Sequence, residues 1–303
     1  MNGRSPVETV RLARQVYDRE GPTALLAAAT EFALSRPRLH PRLHWWLACS
    51  YYRRRCANDV ETYEAAPDPF KLEWISPGLI QRHTRREYPP YRDRLALFGA
   101  VRGGDWDRRD EPPIDPDYRG PPAELFFADR FEESVLYRSL QARFERNVPW
   151  EETEIVRQAL DLIERPEPTR VWHECETSAD VRRRCEHLDA LYASIRDGGY
   201  RSPRERFGTD PSVGFRYCLR QEITVDVGRD GELLLVCGKH RLAIVKLLGL
   251  DAVPVVFLVR HPAWMRHRAN ASRAKVSRAN AIGAGDVNPH PDLRDIGTRV
   301  RSN

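Results

Sequence analysis

The chain has 303 residues, 41% of them hydrophobic and 31% charged, enough for one large or two modest domains with cores of their own and too apolar for a disordered chain. No run of about 18 apolar residues occurs and no charged-then-apolar leader opens the sequence, so neither a spanning helix nor translocation is expected and the expected location is the cytoplasm. The net charge of +5 is unevenly spread: residues 260–303 hold nine basic and three acidic residues, and the other 259 hold 40 basic and 41 acidic. The body is neutral and the tail is basic. Only four of the 49 basic residues are lysines, Lys71, Lys239, Lys246 and Lys275, a bias that a GC-rich genome or phosphate recognition would each produce.

In chain order, residues 1–66 read as a helical segment. Val7, Leu12 and Val16 lead into an alanine-rich run from Leu25 to Leu34, and Leu43 to Cys56 is dense in aromatic and basic residues, as suits a packed helix hairpin or a membrane surface. Phe70 to Ile75 reads as a short strand closed by Ser76-Pro77-Gly78. A loop-rich stretch from Arg82 to Pro122 carries Gly103-Gly104-Asp105-Trp106-Asp107, and long loops are often functional. Three amphipathic helices follow, marked by Leu136, Leu140 and Phe144, by Ile155, Val156, Ala159 and Ile163, and by Val181, Cys185, Leu188 and Ile195. Glu151 and Glu152 sit favourably before the second of these, and Thr177 with Asp180 forms a capping-box pair before the third. Glu222 to Gly228 and Leu233 to Val236 read as strands joined through Asp230-Gly231, a strong hairpin signal. Cys237 to Arg241 then leads into a helix from Leu242 to Leu248, and Val253 to Val259 forms a further strand. Beyond Trp264 the chain turns polar and reads as mobile, at least after Ala281.

The six cysteines lack C-x-x-C spacing, so reduced thiols are expected rather than a disulfide framework. His173-x-Cys175 and Cys185-x-His187 have the residue types of a zinc site. Residues two apart on a helix do not share a face, however, so ordinary packing is expected.

The chemistry concentrates at Gly238-Lys239-His240-Arg241. A strand that passes through glycine into a helix is a recurrent phosphate cradle, because the helix N-terminus offers unpaired N–H groups and a partial positive charge. Lysine adds a point charge and arginine a fork for two oxygens. Cations at that end of a helix oppose its macrodipole, so they imply an anion. Asp105 and Asp107 are candidates for holding Mg²⁺ or activating a hydroxyl, and His261, after the last strand, for a place near the site or a helix cap.

Leu188–Tyr200 (LDALYASIRDGGY) and Glu222–Leu258 (EITVDVGRDGELLLVCGKHRLAIVKLLGLDAVPVVFL) together resemble the ParB/sulfiredoxin-like superfamily. The shared pattern is a helix ending in a serine-isoleucine and glycine phrase, a hairpin, a Gly-x-x-Arg turn into a helix, and a Val-Pro strand. Leu72–Ile80 (LEWISPGLI) matches the superfamily's first strand, and GGDWD, WEET and GKHR with Arg260, His261 and Trp264 are similar to uncharacterised prokaryotic members. In ParB proteins the turn binds the triphosphate of CTP, which implies that role for Gly238 and Arg241; a ParB function also needs a helix-turn-helix domain, for which the polar tail is unsuited. Sulfiredoxins carry their nucleophilic cysteine where Lys239 stands, so that chemistry is not implied, and Cys237 is expected as a buried strand residue. The free-serine kinase branch uses a histidine and an arginine here with a carboxylate base, which implies a catalytic role for His240 with Asp105 or Asp107.

The reading is therefore an α+β protein: an N-terminal helical segment (1–66), a ParB/sulfiredoxin-like mixed sheet with helices and a long insertion (67–265, best matching over 186–260) and a mobile basic tail (266–303). Its expected ligand is a nucleotide (ATP, ADP or CTP, with Mg²⁺) or another phosphate compound at Gly238, Lys239, His240 and Arg241. Phosphotransferase or NTPase catalysis would extend that. The alternatives are a DNA-associated or nuclease-like module, with nucleic acid held through the basic tail, and a scaffold without ligand.

Overall fold

The structure, a computed structural model, describes residues 41–92, 94–118, 120–165, 171–172, 175–207, 215–279 and 290–296, with isolated helical residues between 14 and 34. The chain divides into two compact units, one of residues 1–52 and 203–221, the other of residues 53–202 and 222–303. The first unit thus takes in 203–221, which the sequence had grouped with the second. Within it, helix α1 (Pro41–Arg55, running on past the unit boundary) brings Tyr52 onto Phe215 with the rings stacked 5.6 Å apart; Phe215 opens a further helix, Phe215–Gln221.

The second unit is a mixed sheet with helices. Its strands are β1 (Leu72–Ile75), β2 (Ile80–His83), β3 (Ala100–Val101), β4 (Ile223–Val227), β5 (Leu233–Cys237) and β6 (Val253–Arg260), in the order β1-β6-β4-β5-β2 with β3 also on β6. β6 is buried at all eight positions, as a continuous apolar run flanked by strands on both sides must be. β4 runs parallel to β6 (Ile223 beside Val255) and antiparallel to β5 (Thr224 beside Cys237). β2 runs parallel to β5, with His83 beside Leu235. β2 and β5 therefore end side by side at their carboxyl edges, the usual place for a ligand crevice in such sheets. β2 and β3 lie within the stretch around 76–122 that the sequence pattern predicts as turn and loop.

Because side chains alternate along a strand, Ile223, Val225, Leu233, Leu235, Val255 and Phe257 form one apolar face. It is covered by the helices Val135–Arg146, Glu154–Ile163, α2 (Ser178–Gly198) and α3 (Lys239–Leu247), which contribute Leu136, Leu140, Ile155, Leu188, Leu242 and Ile244. Each fully buried Leu, Ile or Phe here contributes roughly 1.5–3 kcal/mol. The expected capping box at α2 forms: the Thr177 hydroxyl accepts from Asp180 N–H, and the Asp180 carboxylate accepts from Thr177 N–H.

The basic tail is in large part folded. Residues 262–279 form helix α4 (Pro262–Ala279), with Pro262 at its start and Trp264, Met265 and Ala269 buried. Arg268, polar in the sequence pattern, is buried with them, donating to Asp295 and to the Ala65 carbonyl. Residues 290–296 pack back through Asp292, which is 0% exposed and accepts from the fully buried Arg260 and from Trp264 Nε1–H. Residues 280–289 and 297–303 lie outside the described residues.

Candidate functional site

Helix α3 begins at Lys239, three residues earlier than the pattern predicted, so Lys239, His240 and Arg241 make up its first turn. Gly238 is its N-cap, in the left-handed region at φ 92° and with no side chain to cap the turn. A Cβ there would lie 3.0 Å from both Cα and Cγ1 of Ile223, so backbone and packing both require glycine.

The three side chains of the turn part company. Lys239 puts Nζ 2.9 Å from the centroid of the Phe126 ring, a cation–π placement. Burial, with the nearby Arg184 charge adding to it, holds this amine well below the ordinary lysine range. His240 is buried and accepts at Nε2 from Trp172 Nε1–H at 2.9 Å. An indole nitrogen can only donate, so the ring proton of neutral His240 is on Nδ1, which faces Arg184 Nη2 at 3.5 Å. Arg241 is half-buried on the side of α2 that carries Arg184 and His187.

The sequence pattern does not single out Arg184, and it marks His187 only as part of the zinc-like cluster. Burial and then the Arg241 charge push Arg184 down, and burial, Arg184 and Arg241 push His187 down. The Nε of Arg184 is buried with no hydrogen-bond partner. On the sheet side, His83 ends β2 at 4% exposure, wedged between Phe127 and Phe131 with ring centroids 4.5 and 5.2 Å away, and neither of its nitrogens is hydrogen-bonded. Burial, with Lys239 and Arg85, pushes it down to about 3. Among the described residues no carboxylate pairs with Arg184, His187 or Lys239. The one signal for Arg184 was its place three residues after Val181, on the rim of the apolar stripe.

Asp105 and Asp107 are not brought to this turn. Both oxygens of Asp107, which is 4% exposed, accept from the Arg229 guanidinium, and Oδ2 also accepts from Arg229 N–H at 2.7 Å. Asp105 accepts from the same guanidinium at 2.6 Å. The Arg229 guanidinium outweighs the effect of burial and holds the Asp107 carboxyl below its usual range. These contacts clip the GGDWD loop to the hairpin turn at the start of β5. The cation-rich turn lies at the other end of that strand, more than about 13 Å away at 3.3 Å per residue. The clip explains these acids as packing groups and leaves them out of one site with His240.

His261 closes the same clip: it accepts from Ala263 N–H at Nδ1 and donates from Nε2 to the Gly104 carbonyl at 3.1 Å, a capping role at the start of α4. Glu151 and Glu152 are exposed, while Trp150 beside them is buried, donates to Asp189 and lies 6.3 Å from Trp172. Cys237 is half-buried at the end of β5, not fully buried as expected. His173 of the zinc-like cluster lies outside the described residues, and burial pushes the Cys185 thiol up to about 12, opposite to what a metal thiolate needs. Among the described residues no group of three or more potential metal ligands occurs, and no helix is long and apolar enough to cross a membrane.

Fold and site together define an α+β protein with a mixed open sheet and a cation-rich turn at its carboxyl edge. No family model matches the chain, and no curated protein or solved structure matches it either.

Proposed function

We propose that this is a ParB/sulfiredoxin-like protein that binds a nucleotide or another phosphate compound at Gly238, Lys239, His240 and Arg241. The observation that carries the reading is the meeting of Lys239, Arg241, Arg184 and His187 at the positive end of α3, with no carboxylate paired to Lys239, Arg184 or His187 among the described residues. Lys239 and Arg184, close together without a carboxylate of their own, are destabilising unless an anion joins them. Binding is favoured over phosphoryl transfer, because Asp105 and Asp107, the carboxylates offered as base and Mg²⁺ ligands, are held by Arg229 at the far end of β5. In this reading Mg²⁺ arrives on the nucleotide phosphates. A nucleic-acid role for the tail is weakened by the commitment of Arg268 and Arg273 to Asp295 and Glu64.

The test is thermal unfolding with ATP, ADP and CTP, each with and without Mg²⁺. A ligand at a hundred times its Kd should add about 2.7 kcal/mol of stability. Arg241→Ala should remove the shift, and the absence of a shift with every nucleotide overturns the reading.

A further inference from the structure

The turn at Gly238 supplies one wall of a cationic cluster; the other wall is α2. Arg184 is half-buried, its Nε has no partner, and its Nη2 faces a second donor, His240 Nδ1, at 3.5 Å. A guanidinium in a protein keeps its charge, so a half-buried one whose enclosed Nε lacks an acceptor is costly. Glu186, two residues on, is exposed and does not share its face of the helix, and the two α2 carboxylates about one turn away are engaged elsewhere. Asp180 caps the helix and pairs with Arg183, and Asp189 takes a two-pronged contact from Arg143 together with Trp150 Nε1–H. Behind Lys239, His83 is 4% exposed with neither ring nitrogen hydrogen-bonded, and among the described residues no carboxylate pairs with the ammonium. Nothing in the packing of α2 requires a cation at position 184, where an apolar residue would continue the stripe of Val181, Cys185 and Leu188.

We propose that Arg184 and His187 are ligand-binding residues, forming with Lys239 and Arg241 a two-walled site for an oxyanion of charge two or more that bridges α2 and α3. The proposal rests on the anion-binding reading of the Gly238 turn and adds to it a second helix and a requirement for a polyanionic group. Arg184 offers a planar fork, Lys239 a point charge, and the first turn of α3 its backbone dipole.

Isothermal titration of the full chain with pyrophosphate and with orthophosphate, at fixed ionic strength, tests it on the wild type, Arg184→Gln, Arg184→Lys and Arg241→Ala. Pyrophosphate should bind more tightly than orthophosphate. Arg184→Gln should weaken pyrophosphate by about tenfold or more, as expected for a lost charged hydrogen bond, and Arg184→Lys should recover part of the loss. Without ligand, Arg184→Gln should melt at or above the wild-type temperature, because an uncompensated cation is removed; a purely structural arginine would lower it. Wild-type affinity in Arg184→Gln with loss in Arg241→Ala overturns the second wall and leaves the parent reading standing. No binding of pyrophosphate or of any nucleotide to the wild type overturns both.

Discussion

Trp172 donates its indole N–H to Nε2 of His240 at 2.9 Å, and the donor is itself held in an uncommon backbone conformation, φ 36°, with its side chain fully buried. A bulky residue there stores of order 1–3 kcal/mol of strain and stays in that conformation only where its surroundings fix it. Here the fixing comes from paired hydrogen bonds between Val171 and Cys175, on either side of the bend, and from the Trp150 ring. Nitrogen-15 NMR of the imidazole should show His240 with Nδ1 protonated and Nε2 bare. Trp172→Phe should abolish that preference and cost roughly 1–3 kcal/mol through the unsatisfied ring nitrogen.

Gly238→Ala should destabilise the protein by about 2 kcal/mol or more. The left-handed conformation alone costs an L-residue about 1–2 kcal/mol, and the added methyl would press on Ile223. Urea denaturation reads the change directly; an unchanged midpoint would contradict the geometry of the turn.

Asp107→Asn separates the two ends of β5. Loss of the charged contacts to Arg229 should cost about 1–3 kcal/mol while leaving any Mg²⁺-nucleotide thermal shift intact. Disappearance of that shift with the fold preserved would return Asp107 to the site.

Asp292→Asn should leave the guanidinium of Arg260 buried beside a neutral amide, at a cost of roughly 3–5 kcal/mol in thermal or chemical unfolding. For the wild type, burial raises the Asp292 carboxyl, but Arg260 outweighs it and the net direction is down. Its contribution is therefore present above the unfolded carboxyl range, near pH 4, and is lost as pH falls through the lower folded value.

His83 works the pH axis in a second window. Its folded value is depressed to about 3, so the unfolded chain takes up a proton near pH 6.5 that the native chain refuses. Stability should fall as pH drops from about 6.5 toward 3, with a slope of up to about 1.4 kcal/mol per pH unit from this group. His83→Phe, a ring among rings, should flatten that slope. An identical slope in the variant would show that His83 does not refuse the proton.

Much of this unit was legible because its signals are local. The Asp230-Gly231 hairpin, the Thr177 capping box, the apolar run of β6 and the glycine before Lys239 each depend on neighbours within a few residues. What escaped depends on distant partners. Asp105 and Asp107 have the composition of a metal loop, and only Arg229, 122 residues beyond Asp107, shows that they are a clip. Arg268 and Arg260 gave the tail and its approach a solvent-facing look, yet each is buried because an aspartate from 290–296 meets it. His83 and Arg184 carry no motif; they matter through what stands beside them and what does not.

The Arg260–Asp292 pair also sets an order on the chain's own manufacture. β6 is a central strand of the sheet, and it carries its guanidinium from the moment it is made, whereas the carboxylate that neutralises it is encoded 32 residues downstream. A nascent chain that has emerged only through α4 holds every strand of the sheet but must bury that charge alone or keep the end of β6 open to water. Closing this unit before residue 292 leaves the ribosome would enclose a guanidinium with no carboxylate beside it.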